Sequence, residues 1–267
     1  MIDGYAEVNG TRIAYFDHGQ GTPVVLAHSL FFDHSMFDAL VELLIDAGYR
    51  TITYDHRGQG TSRREPRADL SVDILAEDAA RLIDHLNVAP CHFVGNSLGG
   101  MVALRLAARR PHLLRSAAAL GASADREYRL AEFVPLAAHL SEHGPADIVD
   151  QLMFIMFGDT SLANPDSTTI SSWRTYLTQL DPSIGDAAYG VIYRHGILEE
   201  LHGCQIPVLA IAGTEDHAYP PPISTTKIAN AAGGRSVTIP EAGHSVALER
   251  PKEVFQALMA HFTADRR

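Results

Sequence analysis

Apolar residues along this chain fall into short, nearly unbroken runs separated by longer stretches with helical spacing. PVVLAH (23–28), YRTITYD (49–55), CHFVGN (91–96) and LRSAAALG (114–121) are brief and bounded by turn-forming or polar sequence, and they predict strands. Between them, residues 35–47, 72–87 and 98–110 predict helices. In the second of these, Val72, Leu75, Ala79, Leu82, Ile83 and Leu86 share one face, and Ser71 stands where its hydroxyl can cap the free N-terminal amides. A hairpin over 5–17, turning at Asn9-Gly10, precedes the first buried strand. Strands alternating with helices predict an α/β chain whose sheet is mostly parallel and covered on both faces.

That rhythm breaks between 123 and 203. Apolar clusters there (Leu130, Phe133 and Val134; Leu152, Met153, Ile155 and Met156; Trp173, Tyr176 and Leu177) predict an inserted helical subdomain without a buried strand. Alternation resumes with IPVLAIAG (206–213), a helix near 222–232, the strand RSVTIP (235–240) and a final helix near 251–263. The expected organisation is a core domain built from 1–122 and 204–267, interrupted by the insert at 123–203.

Composition narrows the function classes. With 267 residues, 46% of them hydrophobic and 20% charged, the chain can bury a substantial core. A net charge of -11 repels phosphate backbones and anionic lipid, so neither nucleic acid nor a membrane surface is an expected partner. No run approaches the roughly 20 apolar residues of a membrane helix, and MIDGYAEVNGTR lacks the basic and apolar regions of a signal peptide, so a cytoplasmic protein is expected. Cys91 and Cys204 are too few for a disulfide framework or a four-thiolate zinc site and read as buried thiols.

The candidate chemistry lies in FVGNSLGGMVAL (93–104), where one serine stands among three glycines. Gly95-Asn96-Ser97-Leu98-Gly99 fits Gly-x-Ser-x-Gly, but 16 serines with chance glycine neighbours produce roughly 0.1 such matches per chain of this composition. Position adds what the pattern lacks. Ser97 ends a predicted strand and opens a predicted helix, where a sharp turn exposes the hydroxyl above the carboxyl edge of a parallel sheet. A serine hydroxyl needs a base to take its proton, and that base needs an acid to orient it. Asp216, after the strand at 206–213, and His244, after the strand at 235–240, both follow carboxyl ends of strands. Glu215 and Asp125 are rival acids; His28 and His56, near the same edge, read as structural, and His112, His139 and His195 as solvated or packed.

Together GNSLGG, GTEDHAYPP and EAGHSVALERPKEV resemble the α/β-hydrolase superfamily over nearly the whole sequence. The resemblance implies an α/β-hydrolase fold with an eight-stranded sheet and a helical lid, Ser97 as nucleophile, His244 as general base and acid, and Asp216 as the orienting acid. It implies no metal or organic cofactor. Tetrahedral intermediates also need oxyanion donors. The backbone amide of Leu98 is the first candidate, and the Leu30 amide in His28-Ser29-Leu30-Phe31 is the second.

HSLFFDHSMFD resembles a run found in 3-oxoadipate enol-lactonases, with Ser29, Leu30, Asp33, Met36, Phe37 and Asp38 in register and Phe31 in place of a glycine. GNSLGG resembles the elbow of C-C bond hydrolases of meta-cleavage products, but Ser245, Val246 and Ala247 replace the tryptophan those enzymes carry after the histidine. The expectation is a serine esterase or lactonase acting on a small-molecule carboxylic ester or lactone. The alternatives are a C-C bond hydrolase, a cofactor-free perhydrolase or haloperoxidase, and a slow-turnover ligand receptor. Ser29, Phe31, Phe133, Met153 and Trp173 are the expected pocket residues, and Arg126, Arg129, Arg174 and Arg194 are candidates to pair with a substrate carboxylate.

Overall fold

The computed structural model describes residues 4–164 and 167–264. Its eight strands form one sheet: β1 (Gly4–Val8), β2 (Thr11–Gly19), β3 (Thr22–Ala27), β4 (Tyr49–Tyr54), β5 (Cys91–Asn96), β6 (Leu114–Leu120), β7 (Val208–Gly213) and β8 (Arg235–Ile239). The order across the sheet is β1-β2-β4-β3-β5-β6-β7-β8, and only β2 runs against its neighbours. Asn9 (φ 47°) and Gly10 (φ 76°) supply the two left-handed residues of the tight β1–β2 turn.

Leaving β3, the chain steps to β4 on one side and then returns to β5 on the other. The crevice at the carboxyl ends of β3 and β5 is therefore the switch point at which open α/β sheets bind ligands. The HSLF loop follows β3 and Ser97 follows β5, so the sheet order alone brings these two segments together.

The helices flank this sheet. They are α1 (Asp38–Asp46), α2 (Val72–His85), α3 (Leu98–Arg109), α4 (Leu130–His143), α5 (Val149–Met156), α6 (Asp159–Leu162), α7 (Thr168–Thr178), α8 (Ile184–Ile192), α9 (Leu198–Leu201), α10 (Thr226–Ala232), α11 (Val246–Glu249) and α12 (Pro251–Ala264). Helix α1 packs with α11 and α12, whereas α2 and α9 pack against α3 and α9 also meets α10, giving a layer on each face of the sheet. The Ser71 hydroxyl accepts from the Ile74 amide at 3.3 Å and caps α2. No helix among the described residues is long and apolar enough to cross a membrane. Cys91 is buried and its thiol is pushed up to about 12 by burial; Cys204 is half-buried rather than buried, and both are unpaired.

Two segments differ from expectation for identifiable reasons. Helix α10 starts at Thr226 instead of near 222, because Pro220, Pro221 and Pro222 cannot donate backbone hydrogen bonds and hold the preceding chain extended or turned. Helix α8 has no counterpart in the expected elements. Its Gly185 and Gly190 weaken the helical signal, yet close packing requires them: a Cβ on Gly185 would lie 2.4 Å from the Ser141 amide nitrogen in α4, and one on Gly190 would lie 2.0 Å from the Leu70 carbonyl oxygen.

Candidate active site

The chain enters the sharp turn at the end of β5 through Gly95 and leaves it through Gly99. At its apex Ser97 has φ 51° and ψ −109°, a conformation that L residues rarely adopt and that surrounding contacts must hold. A Cβ on Gly95 would sit 2.0 Å from the Gly99 carbonyl oxygen, and one on Gly99 would sit 1.9 Å from the Ala27 carbonyl oxygen. These two glycines let α3 press against β3 and β5 closely enough to project the serine hydroxyl from the sheet edge. The Ser97 amide donates to the Leu120 carbonyl at 2.7 Å, and the Gly99 amide donates to the His28 carbonyl at 3.1 Å, which ties the turn to β6 and to the HSLF loop.

Facing Ser97 is His244, whose Nε2 lies 2.7 Å from the serine Oγ. The other ring nitrogen, Nδ1, lies 3.1 Å from both carboxylate oxygens of Asp216. Asp216 Oδ1 also accepts from the Ala218 and Tyr219 amides, each at 2.8 Å, so the carboxylate is fixed before the histidine reaches it. All three side chains are at least 95% buried. With the proton on Nδ1 the imidazole can donate to Asp216, which would leave Nε2 able to accept from the Ser97 hydroxyl.

The rival acids are occupied elsewhere. Glu215 accepts from the Thr160 amide and hydroxyl at 2.8 and 2.6 Å, and Asp125 pairs with Lys227. His28 and His56 bond to each other's backbone: the His56 amide donates to His28 Nε2 at 2.9 Å, and His56 Nε2 lies 3.0 Å from the His28 carbonyl. That exchange shapes the HSLF loop from behind.

Two amides remain for an oxyanion. Among the described residues no backbone acceptor takes the Leu30 or Leu98 amide; Leu98 opens α3 directly after Ser97, and Leu30 lines the cavity with Ser97. Phe31, where the enol-lactonase-like run has glycine, carries φ 74°. A phenylalanine held in the left-handed region is a strained residue in the loop that presents Leu30.

A cavity with about 60 Å³ of free interior lies beside Ser97 and His244. Leu30 and Phe31 form its floor, Phe133 and Leu140 of α4 and Met156 of α5 form one wall, and Val191 and Ile192 of α8 form another. The mostly apolar lining, with Ser97 and His244 on it, suits an organic ligand. Phe31 and Phe133 line this cavity as the sequence suggests; Ser29, Met153 and Trp173 do not. The Ser29 hydroxyl is buried against Asn96, accepting from its Nδ2 at 2.9 Å. Met153 is packed inside the core one helical turn before Met156, about 4.5 Å away along the axis. Trp173 rests on Phe32 and Tyr176, with centroids 4.7 and 5.1 Å away.

Several residues here were not anticipated. Asn96 Nδ2 donates to the His244 carbonyl at 2.9 Å as well as to Ser29, bridging the histidine loop and the HSLF loop. Gly121 (φ 53°) leaves room for His244, since a Cβ there would be 2.7 Å from the histidine carbonyl and 3.3 Å from Nδ1. Glu249 accepts from the Gly158 and Gly243 amides, each at 3.0 Å, and so fastens the residue before His244 to the insert. Glu127 and Tyr219 also line the cavity. Asn96, Tyr219 and Glu249 stood inside the quoted GNSLGG, GTEDHAYPP and EAGHSVALERPKEV segments, but nothing in those patterns marked their contacts. Among the described residues no group of three or more His, Cys, Asp or Glu side chains is arranged to hold a metal ion.

The sequence model of the alpha/beta hydrolase family matches residues 24–257, a span that contains the serine, the acid, the histidine and both candidate oxyanion amides. The chain belongs to the alpha/beta hydrolase family. Within it, the chain is 26% identical over 264 residues to (E)-2-((N-methylformamido)methylene)succinate hydrolase of Acinetobacter baylyi, an alignment covering 97% of this chain and 98% of that one. Among solved structures it resembles the enol-lactonase from Burkholderia xenovorans LB400, with TM-score 0.88, 27% identity and coverage of 97% of this chain and 100% of that one. It also resembles a thermophilic esterase from Thermogutta terrifontis, solved with malate bound, with TM-score 0.89, 25% identity and 99% coverage of both. This alpha/beta hydrolase thus shares its fold and length with enzymes named for hydrolytic reactions.

Proposed function

We propose that this alpha/beta hydrolase is a serine hydrolase that cleaves small carboxylic esters or lactones through an acyl-enzyme. The reading rests above all on the 2.7 Å contact between Ser97 Oγ and His244 Nε2, with Nδ1 held by a pre-fixed Asp216. In the first half-reaction Ser97 Oγ attacks the substrate carbonyl carbon while His244 Nε2 takes the hydroxyl proton. The carbonyl oxygen becomes an oxyanion and receives the Leu30 and Leu98 amides; each donor of this kind is worth about 3 to 4 kcal/mol in the transition state. Collapse breaks the ester C–O bond, and His244 returns its proton to the departing alkoxide. In the second half-reaction His244 takes a proton from water, the hydroxide attacks the acyl carbon, and the C–O bond to Ser97 breaks. Ser97 recovers its proton and the carboxylic acid leaves.

The Acinetobacter hydrolase, the Burkholderia enol-lactonase and the Thermogutta esterase support hydrolysis of a carboxyl derivative as the reaction class. Turnover of a short p-nitrophenyl ester and of a simple lactone by wild type and Ser97→Ala tests the reading. The variant loses at least about 10⁴-fold in kcat/KM while melting as wild type does. Wild-type-like turnover in Ser97→Ala would overturn the assignment.

A further inference from the structure

The cavity beside Ser97 is lined mostly by apolar residues; apart from Ser97 and His244 its polar lining residues are Tyr219 and Glu127, the one carboxylate among them. Glu127 lies on the loop between β6 and α4 and is 4% exposed. Its Oε2 accepts from the Tyr219 hydroxyl at 2.6 Å and from Arg194 Nη1 at 3.0 Å. Its Oε1 accepts from the Tyr128 and Arg129 amides, each at 2.9 Å. Burial alone would raise this carboxyl, but the Tyr219 hydroxyl, the Arg129 amide and Arg194 outweigh it and hold the group below the usual glutamate range, so it is ionised. Tyr219 also lines the cavity and sits three residues beyond Asp216, so the loop that carries the acid partner of His244 also clamps Glu127.

The carboxylate and the guanidinium are not equivalent from inside the cavity. Glu127 forms part of its wall, whereas Arg194 lies behind that wall, bonded to the Asp125 and Val191 carbonyls at 2.8 and 3.0 Å. The pair is neutral overall, and the anionic residue, its side chain 1% exposed, is the member that belongs to the cavity lining. The other basic side chains of the insert region do not compensate. Arg129 is held by Glu132 and the His217 carbonyl, Arg174 pairs with Asp150, and Arg126 borders a separate surface cavity with His195 and Glu199. None of the four arginines lines the cavity at Ser97. A carboxylate brought there would lose its hydration, meet no Arg or Lys in the lining, since Arg194 with its unpartnered Nη2 stands behind Glu127, and lie beside a fixed like charge.

We propose that Glu127 is a specificity-determining residue that restricts the cavity to uncharged acyl groups and rejects substrates placing a carboxylate there. The proposal rests on the serine-hydrolase reading and specifies its substrate class: esters of neutral, apolar carboxylic acids rather than half-esters of dicarboxylic acids. The selection is built from a repulsive element added to an apolar pocket, which discriminates against a charged competitor more sharply than apolar contact alone.

The test compares two methyl esters of matched shape, methyl 6-methylheptanoate and monomethyl adipate, by acid release in a pH-stat. Methanol is the smaller portion of both, so the acyl chain must fill the cavity. Wild type favours the neutral ester by at least about 100-fold in kcat/KM. In Glu127→Gln the buried Arg194 cation is no longer neutralised, and the preference falls at least about tenfold through a gain on monomethyl adipate. A merely structural role for Glu127 would lower both rates and leave their ratio alone. Arg194→Gln is the second variant. Assayed at pH 8.5, where Glu127 stays ionised without the guanidinium, it keeps the carboxylate on the wall, so its preference for the neutral ester equals or exceeds that of wild type, and this holds whether or not Glu127→Gln folds. Equal rates on the two esters in wild type, an unchanged ratio in folded Glu127→Gln, or a ratio falling toward one in Arg194→Gln would each overturn the proposal while leaving the serine-hydrolase reading intact. If wild type turns over neither methyl ester but cleaves the p-nitrophenyl ester, this proposal alone fails; if it cleaves none of them nor the lactone, the underlying reading fails with it.

Discussion

Replacing Asp216 by asparagine removes one charge and almost no volume, and the contacts of Asp216 determine how the histidine responds. Oδ1 accepts two backbone amides, from Ala218 and Tyr219, both at 2.8 Å. The asparagine carbonyl must take that position, because a terminal NH₂ there would point its hydrogens at two N–H donors. The NH₂ group then occupies the place of Oδ2, 3.1 Å from His244 Nδ1; the carbonyl oxygen is equally near, but the two amides already fill its two lone pairs. Facing a donor, Nδ1 becomes an acceptor and the imidazole proton moves to Nε2. There it points at Ser97 Oγ, 2.7 Å away, and the base needed to deprotonate the serine is lost. The loss expected for a wrong tautomer in such a triad is about 10⁴-fold in kcat, or about 5 kcal/mol at 1.36 kcal/mol per tenfold. Fold stability should change little, since the two amide bonds survive. Steady-state kinetics on a p-nitrophenyl ester, with urea unfolding of the same preparations, checks both halves. Asp216→Asn retaining more than about a tenth of wild-type kcat would refute the tautomer argument.

Gly99→Ala places a methyl 1.9 Å from the Ala27 carbonyl oxygen and should cost at least about 3 kcal/mol in denaturant unfolding. Gly203→Ala, which meets nothing within 4 Å, should shift stability by less than about 0.5 kcal/mol, and equal shifts would contradict the packing account. The histidines behind the HSLF loop give stability a maximum near pH 6.5. Burial holds His28 and His56 below their ordinary value of 6.5, so each withdraws up to about 1.4 kcal/mol per pH unit as pH falls below 6.5 toward its folded value. For His34 burial alone would lower the value, but Asp55 raises it, so its contribution is complete below 6.5 and is lost as pH climbs through the raised value. Urea unfolding at pH 5.5, 6.5 and 7.5 reads this shape, and stability that rises from 6.5 to 5.5 would contradict it.

Much of the fold was legible because buried parallel strands leave a pattern that few other elements leave. Cys91–Asn96 is legible to the residue, and the Gly-x-Ser-x-Gly signal gains its meaning from lying between that strand and α3. The partners of Ser97 are also readable, since strand ends on one sheet edge become neighbours whatever their separation in sequence. What escaped depends on which way a side chain faces. Helix α8 hid behind the glycines that let it approach α4 and Leu70, although it supplies one cavity wall. Met153 and Trp173 looked like pocket residues because apolar clustering locates a buried face without saying whether it meets the cavity or the core. Glu127 gave no signal: a glutamate among charged loop residues reads as solvated, and only the convergence of Tyr219, Arg194 and two amides makes it a buried anion.

The central claim is that Ser97 is the nucleophile that His244 activates. Treating the protein with a fluorophosphonate and locating the adduct by peptide mass spectrometry tests it directly. The account predicts one phosphonyl group on Ser97, with labelling abolished in Ser97→Ala and slowed by orders of magnitude in Asp216→Asn. An adduct on any other residue, or none while ester turnover proceeds, would contradict it.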